Sequence, residues 1–263
     1  MSENELLFSL FFVSCRSKNK VEQPMIKDFD LLQRANNDYT TIDLEHAEEL
    51  AYRELIDSIR YIPLGDECGV MGNIANIITY KGRFYIQEEQ FDRVFIYDDT
   101  GRCLKKIDNK GRGPGEYLRI ESIDINTEKE ELMLVDGMSD KLFFYDLDGN
   151  FKSIHSIRYF QTENTLCLRD SVFLHISAPS QNFGNEGLYG YALVLSKGNE
   201  NFLKGYRYLP LQVGYKGGGQ IFKGYERSCY HPIYSDTIYQ ILSDTTYGPI
   251  FYFKIKNSSW EKY

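Results

Sequence analysis

An all-β chain, folded as a β-propeller with about four blades of a six-bladed type and a short N-terminal helix or tether, is predicted by three features of the sequence. Tyr (21), Phe (17) and Trp (1) make up 15% of the 263 residues, a load of flat side chains that favours sheets. Strand-length runs are apolar on both alternating faces, so each sheet must be covered on both sides. A short unit also recurs every 45–50 residues, the period of propeller blades. With 42% hydrophobic and 26% charged residues, the composition excludes wholesale disorder and a multi-pass membrane protein. The formal charge of −8 is the wrong sign for gripping a phosphate backbone, so nucleic acid is not an expected partner.

Residues 6–13 read LLFSLFFV, an apolar run too short to span a bilayer as a helix but suited to the core of a secretory signal. It ends at Ser14-Cys15, and the stretch FVSC resembles the bacterial lipobox, in which the cysteine is acylated and becomes the mature N-terminus. Cys15 is therefore the expected lipidation site, and several acyl chains at about 0.8 kcal/mol per buried CH₂ anchor a protein stably. The five residues at the start, MSENE, are acidic where a signal is ordinarily basic. Residues 1–15 are thus assigned to a lipoprotein signal, 16–41 to a tether and 42–263 to the propeller, with the bacterial envelope as the address, the outer membrane or the periplasm.

Within 43–59, Ala47, Leu50, Ala51, Leu55 and Ile56 stand at helical spacings, which predicts a short helix against the domain. The period then changes to two. RFYIQ (83–87), RVFIYD (93–98), ELMLVD (131–136) and KLFFYD (141–146) are strand-length runs bounded by turn formers. VFIYDDTGR (94–102) recurs as LFFYDLDGN (142–150), with Gly101 and Gly149 48 residues apart, then more faintly as ALVLSKGN (192–199) and DTIYQILSD (236–244). Each copy reads as strand, polar turn and strand, the pattern of a hairpin.

The segments DSIRYIPL (57–64), KGRGPGEY (110–117) and YSDTIYQI (234–241) resemble the six-bladed β-propeller lipoproteins, related to NHL-repeat propellers, of Gram-negative gut anaerobes. The resemblance extends over residues 42–255 and implies the fold and the envelope address more than an activity. Six blades at this period need about 290 residues, and the chain holds enough for about four. A shortened gene product, or a partial propeller that relies on a partner, is therefore expected.

Candidate chemistry is sparse. GRGPG (111–115) lacks both the GKS/GKT ending and the GxGxxG spacing of a phosphate loop, and reads as an inter-blade connection from which Arg112 and Glu116 reach the loop-bearing face. Asp146-Leu147-Asp148-Gly149-Asn150 has the acid spacing of a calcium loop. Phe151 and Ile157 stand where that loop requires glycine and glutamate, so it reads as a hairpin turn. The four histidines form no HExxH motif and no GxSxG elbow occurs. Cys68, Cys103, Cys167 and Cys229 lie 35, 64 and 62 residues apart with no zinc-like spacing, and each is expected as a small buried hydrophobe in a strand. Of the tyrosines between 189 and 239, most are expected to pack across strands. Tyr215 and Lys216, in GYKGGG (214–219), are the exposed ligand-binding candidates.

Two readings of function follow. In the first, the protein is a binding or scaffold module for a protein or carbohydrate ligand, without a cofactor or metal. In the second, it is a hydrolase or lyase of the lactonase sort, with a divalent cation held on the propeller axis by a long-range set such as His175 and His231 with Glu121 or Asp136. A non-functional remnant of a longer gene is a third possibility.

Overall fold

A computed structural model describes residues 30–31, 33–35, 38–46, 56–157, 161–169, 171–177, 182, 188, 191–198, 201–208, 219–224, 227–233, 235–243 and 246–255. Three short strands come first, β1 (Asp30–Leu31), β2 (Gln33–Arg34) and β3 (Thr40–Asp43), followed by one 3₁₀ turn at Leu44–His46. Four antiparallel sheets follow in chain order. Blade 1 is β4 (Ile74–Tyr80), β5 (Arg83–Glu88), β6 (Arg93–Asp98) and β7 (Cys103–Ile107), and blade 2 is β8 (Ser122–Asn126), β9 (Glu131–Asp136), β10 (Lys141–Asp146) and β11 (Phe151–Ser156). Blade 3 is β12 (Asn164–Arg169), β13 (Val172–Ile176), β14 (Tyr191–Lys197) and β15 (Asn201–Tyr208), and blade 4 is β16 (Gln220–Lys223), β17 (Ser228–His231), β18 (Thr237–Ile241) and β19 (Thr246–Lys254). The chain is an all-β propeller of four blades among the described residues.

All four sequence copies fall on the hairpin between the third and fourth strands of a blade. In blades 1 and 2 the turn is closed by an aspartate that caps its own backbone. Asp98 accepts from the Thr100 and Arg102 amides, and Asp146 from those of Asp148 and Asn150. Gly101 and Gly149 close these turns at φ of +88° and +81°, a region that side-chain-bearing residues avoid. Repetition of a turn, rather than a calcium site, explains the acids.

In blades 2 and 3 the two apolar faces bury against two different neighbours. One cluster joins blade 1 to blade 2 through Val94, Ile96 and Ile107 on one side and Leu132, Leu134 and Phe143 on the other. A second joins blades 2 and 3 through Met133, Val135 and Phe144 against Cys167 and Phe173. A third joins blades 3 and 4 through Leu174 and Leu195 against Ile221, Tyr230 and Ile241. The fourth, of Ile86, Phe95, Tyr97 and Cys103, covers the outward face of blade 1. Burying a large apolar side chain contributes about 1.5–3 kcal/mol, so truncating a fully buried one such as Phe143 to alanine removes about 3–5 kcal/mol.

Of the segment predicted to be helical, 43–59, residues 47–55 with Ala47, Leu50, Ala51 and Leu55 lie outside the described residues, and only its ends are described. Thr40–Asp43 pairs in parallel with β19, Leu44–His46 is helical, and 56–59 is irregular. Two expectations are corrected. Within the expected tether, β1 pairs in parallel with β15 and β2 with β19. Cys68 and Cys103 are also not separate buried hydrophobes but a disulfide, and Cys68 lies outside any strand. Cys167 and Cys229 are buried, each in a strand, as expected. Cys15 lies outside the described residues. Among the described residues no helix is long and apolar enough to cross a membrane.

Candidate functional site

Because each blade holds four antiparallel strands, the chain enters and leaves every blade on the same face. That face carries the inter-blade connections and the turns between second and third strands. KGRGPGEY lies there, joining β7 to β8. Lys110 and Tyr117 form an isolated bridge that closes the loop. Tyr117 is fully buried, its hydroxyl donating to the Asp92 carbonyl at 2.8 Å while accepting from the Asn109 amide at 3.1 Å. Its ring meets Phe143 edge-on at 6.0 Å, so the motif pins blade 1 to blade 2, and burial raises its pKa.

Glu116 does not project toward a ligand. Its carboxylate folds back over the glycines and accepts from the Gly113 amide at 2.7 Å. Arg112 is exposed on this face. Tyr215 and Lys216 lie outside the described residues. Of the neighbouring tyrosines, Tyr230 is core and Tyr239 packs edge-on against Tyr247 at 5.5 Å.

The inner strands β4, β8, β12 and β16 line an axial channel of about 1150 Å³. Residues that directly precede inner strands repeat a device. The amides of Glu121 and Glu163 donate to Val135 and Ile176 at the ends of the second strands, both at 2.8 Å. Both carboxylates line the connection-side mouth of the channel. Burial, reinforced by Asp92, Asp136 and Glu163, raises the pKa of Glu121 against the pull of Arg119. Gly137 has no room for a Cβ, because the Thr162 carbonyl and the Glu121 side chain occupy that space.

Deeper in the channel, one ion pair ties three blades together. The Lys223 ammonium, from blade 4, donates to Asp124 Oδ2 (3.0 Å) and the Ile125 carbonyl (3.0 Å) of blade 2, and to the Cys167 carbonyl (2.6 Å) of blade 3. The Cys167 amide donates to the same Asp124 oxygen at 2.7 Å. These contacts satisfy backbone groups at inner-strand edges that no neighbouring strand pairs. Burial pushes the Asp124 carboxyl up, opposed by Lys223.

The axial set of histidines and acids does not assemble. His175 is fully buried inside blade 3, Nδ1 facing Thr165 Oγ1 (2.9 Å) and Nε2 facing Ser196 Oγ (2.7 Å), and burial lowers its pKa to about 3. Nε2 of His231 bonds the Ser235 carbonyl, and Asp136 caps a turn through the Met138 and Ser139 amides. Only Glu121 of the four lines the channel. Among the described residues one trio of potential ligands comes together, Asp43, Glu45 and His46 near the N-terminus. There the Lys254 ammonium sits 3.0 Å from Asp43 and 3.8 Å from Glu45. Residue-type reasoning missed Asp124, Lys223 and Glu163. The one available signal was the acid placed directly before two successive inner strands, Glu121-Ser122 and Glu163-Asn164.

The fold is similar to that of a "putative exported protein" from Bacteroides fragilis, with a TM-score of 0.70 at 20% identity over 82% of this chain and 60% of that one. A member of the DUF4221 family from Bacteroides vulgatus (TM-score 0.45, 11% identity, 68% of this chain and 57% of that one) is less similar. So is virginiamycin B lyase from Staphylococcus aureus (TM-score 0.44, 9% identity, 71% and 57%). The chain thus spans less than two thirds of the length of each. No curated protein matches it. A family model for a domain of unknown function matches residues 39–262, and the chain belongs to that family, DUF4934.

Proposed function

We propose that the protein is an envelope-anchored propeller that binds a protein or carbohydrate ligand at the connection-bearing mouth of its axial channel. The observation that carries this reading is the channel itself, about 1150 Å³ in volume and lined by inner strands of all four blades with polar and charged groups at its mouth. Below that mouth the Lys223 tie holds the inner strands of blades 2, 3 and 4 together, so the channel wall is preorganised. Three observations support the envelope address: the Cys68–Cys103 disulfide, which persists in oxidising compartments, the lipobox-like Cys15, and the exported description of the Bacteroides fragilis relative. The repeat resemblance supports placing these blades in a ring of the six-bladed type.

The binding face is tested by hydrogen-exchange footprinting of the protein against a panel of envelope glycans and basic, acidic and neutral peptides. Protection is expected at residues 108–121 and 137–140. Protection confined to the opposite turns, around residues 81–82 and 127–130, contradicts the assignment. Anchoring is tested by Cys15→Ser, which is expected to release the protein from the membrane fraction; wild-type protein that is already soluble and unlipidated contradicts it.

A further inference from the structure

We propose that residues 256–263, KNSSWEKY, seat on the outward face of blade 4, with the Trp260 ring against Phe222. These residues lie outside the described ones. The inference goes beyond the binding reading above and does not rest on it.

The face offers an apolar surface. In blade 4, Ile221, Tyr230 and Tyr239 belong to the cluster against blade 3, so strand alternation turns Phe222 and Ile238 the other way, together with Phe251, the register partner of Ile238. Phe222 is 42% exposed, and Ile238, Phe251 and Phe253 are half-buried. A run of apolar side chains across one sheet face marks a surface that something covers.

The path to it is set by the register. The Phe253 amide donates to the carbonyl of Asp236, directly before β18, at 2.8 Å. In blade 2 the Ile157 amide donates to the carbonyl of Asp140, directly before β10, at the same 2.8 Å. Phe253 is therefore the counterpart of Ile157, which is 1% exposed because it packs with Met133 and Phe144 under Phe173 of blade 3. From Ile157 the chain runs through residues 157–163 to the next inner strand, which opens at Asn164. That strand lies against the inner strand of blade 2, the Thr165 amide on Ser122 Oγ (3.4 Å) and the Cys167 amide on Asp124 Oδ2 (2.7 Å). Trp260 stands as far beyond Phe253 as Asn164 stands beyond Ile157, so the same path brings Trp260 to the inner strand of blade 4, β16, which carries Phe222.

The residues along the two paths match in kind. IRYFQT (157–162) and FKIKNS (253–258) both run apolar, basic, apolar, then after one variable position a carboxamide and a hydroxyl. Thr162 Oγ1 donates to the Asn164 carbonyl at 2.7 Å as the chain turns into β12, and the Ser258 hydroxyl supplies the same donor. Seven residues of extended chain reach up to about 24 Å, and the four strands of a blade span about 14 Å, so the distance is within reach. At the end of the path the polar Asn164 is replaced by the one tryptophan of the chain, whose ring suits an exposed phenylalanine and whose indole N–H keeps access to water at the blade rim.

The single tryptophan also makes the test, on the 263-residue chain. Its emission is expected to lie to the blue of N-acetyltryptophanamide, with weaker quenching by acrylamide, and its indole protons are expected to give Overhauser contacts to Phe222 and Ile238. Phe222→Ala should shift the emission toward that of the free amide and restore quenching. Phe91→Ala, which removes an equally exposed ring (51%) from the β5–β6 turn, should change neither. Emission of the folded protein at the position of the free amide overturns the proposal, as does a blue shift that Phe222→Ala leaves in place. A blue shift lost on dilution also overturns it and assigns the face to a second copy. If Phe222→Ala fails to fold, the wild-type Overhauser contacts decide, and indole contacts only to residues off this face overturn the proposal. None of these outcomes alters the footprint expected at residues 108–121, by which the binding reading is judged.

Discussion

Blades 1 and 4 both end the described array, yet their outward faces are treated differently. That of blade 1 carries a buried cluster of Ile86, Phe95, Tyr97 and Cys103, covered by a segment that includes Cys68 and Met71. The cover is fastened by the Cys68–Cys103 disulfide, by the Gly65 amide on the Gly101 carbonyl (2.8 Å) and by the Tyr97 hydroxyl on the Gly65 carbonyl (3.2 Å). The outward face of blade 4 has no buried cluster among the described residues, and Phe222 is exposed on it. Blade 4 is held instead from within, by its apolar contact with blade 3 and the Lys223 tie, and along its outer edge by β2 and β3. A blade with two apolar faces needs cover on both; among the described residues a covalent strap serves blade 1, and polar anchoring holds blade 4.

The largest effect is expected from removing the strap. Replacing Cys68 and Cys103 by serine opens a loop of 35 residues in sequence, which on the chain-entropy estimate lowers stability by about 3–4 kcal/mol. Urea unfolding measures the total, and hydrogen exchange should show the loss concentrated in β5–β7. Uniform loss across all blades breaks the contrast. Next comes the axial tie. Asp124→Ala leaves the Cys167 amide without its acceptor and Lys223 without its counter-ion. Lys223 is about a quarter exposed and rehydrates in part, so the penalty is placed at about 3 kcal/mol. Here exchange should rise first in β16–β19, with β4–β7 retaining protection.

The smallest effect lies at the N-terminal edge of blade 4. The Lys254 hydrogen bond, and after it that of His46, lowers the pKa of Asp43 to about 2. A depressed carboxylate pKa favours the folded state above the ordinary value of 3.8, and the contribution disappears as pH falls from there toward 2. Lys254→Ala is expected to return the Asp43 titration, followed by carboxyl NMR, toward its ordinary value with little change in the unfolding midpoint. An unmoved titration shows that β3 does not dock on β19 through this pair.

The repeated part of the fold was legible because it is local. The copies at 94–102 and 142–150 each contain a whole turn with its capping residue, and all four copies start from the third strand of a blade. The both-faces pattern of RVFIYD and KLFFYD likewise translated directly into inter-blade clusters. What depends on distant parts of the chain meeting was not legible. Nothing in the spacing of Cys68 and Cys103 distinguishes a bond from two buried thiols, and Lys223 and Asp124 are 99 residues apart, joined only by the stacking of blades around the axis. The pairing of Thr40–Asp43 with β19 is likewise a tertiary opportunity that the local pattern does not record. For the candidate site, position was readable and role was not. Glu116 lies on the expected face, but its carboxylate is spent on its own loop, whereas the place of Glu163 at the channel follows only from the inner strands.

The fold rests on radial stacking, in which successive blades pack face to face around the axis. Methyl and aromatic nuclear Overhauser contacts in solution test this most directly. The stacking predicts contacts of Ile96 with the Leu132–Leu134–Phe143 group, of Val135 and Phe144 with Phe173, and of Leu174 and Leu195 with Ile221 and Ile241. Contacts that skip a blade, such as Ile96 with Leu174, would mean two sheets packed face to face and would contradict it.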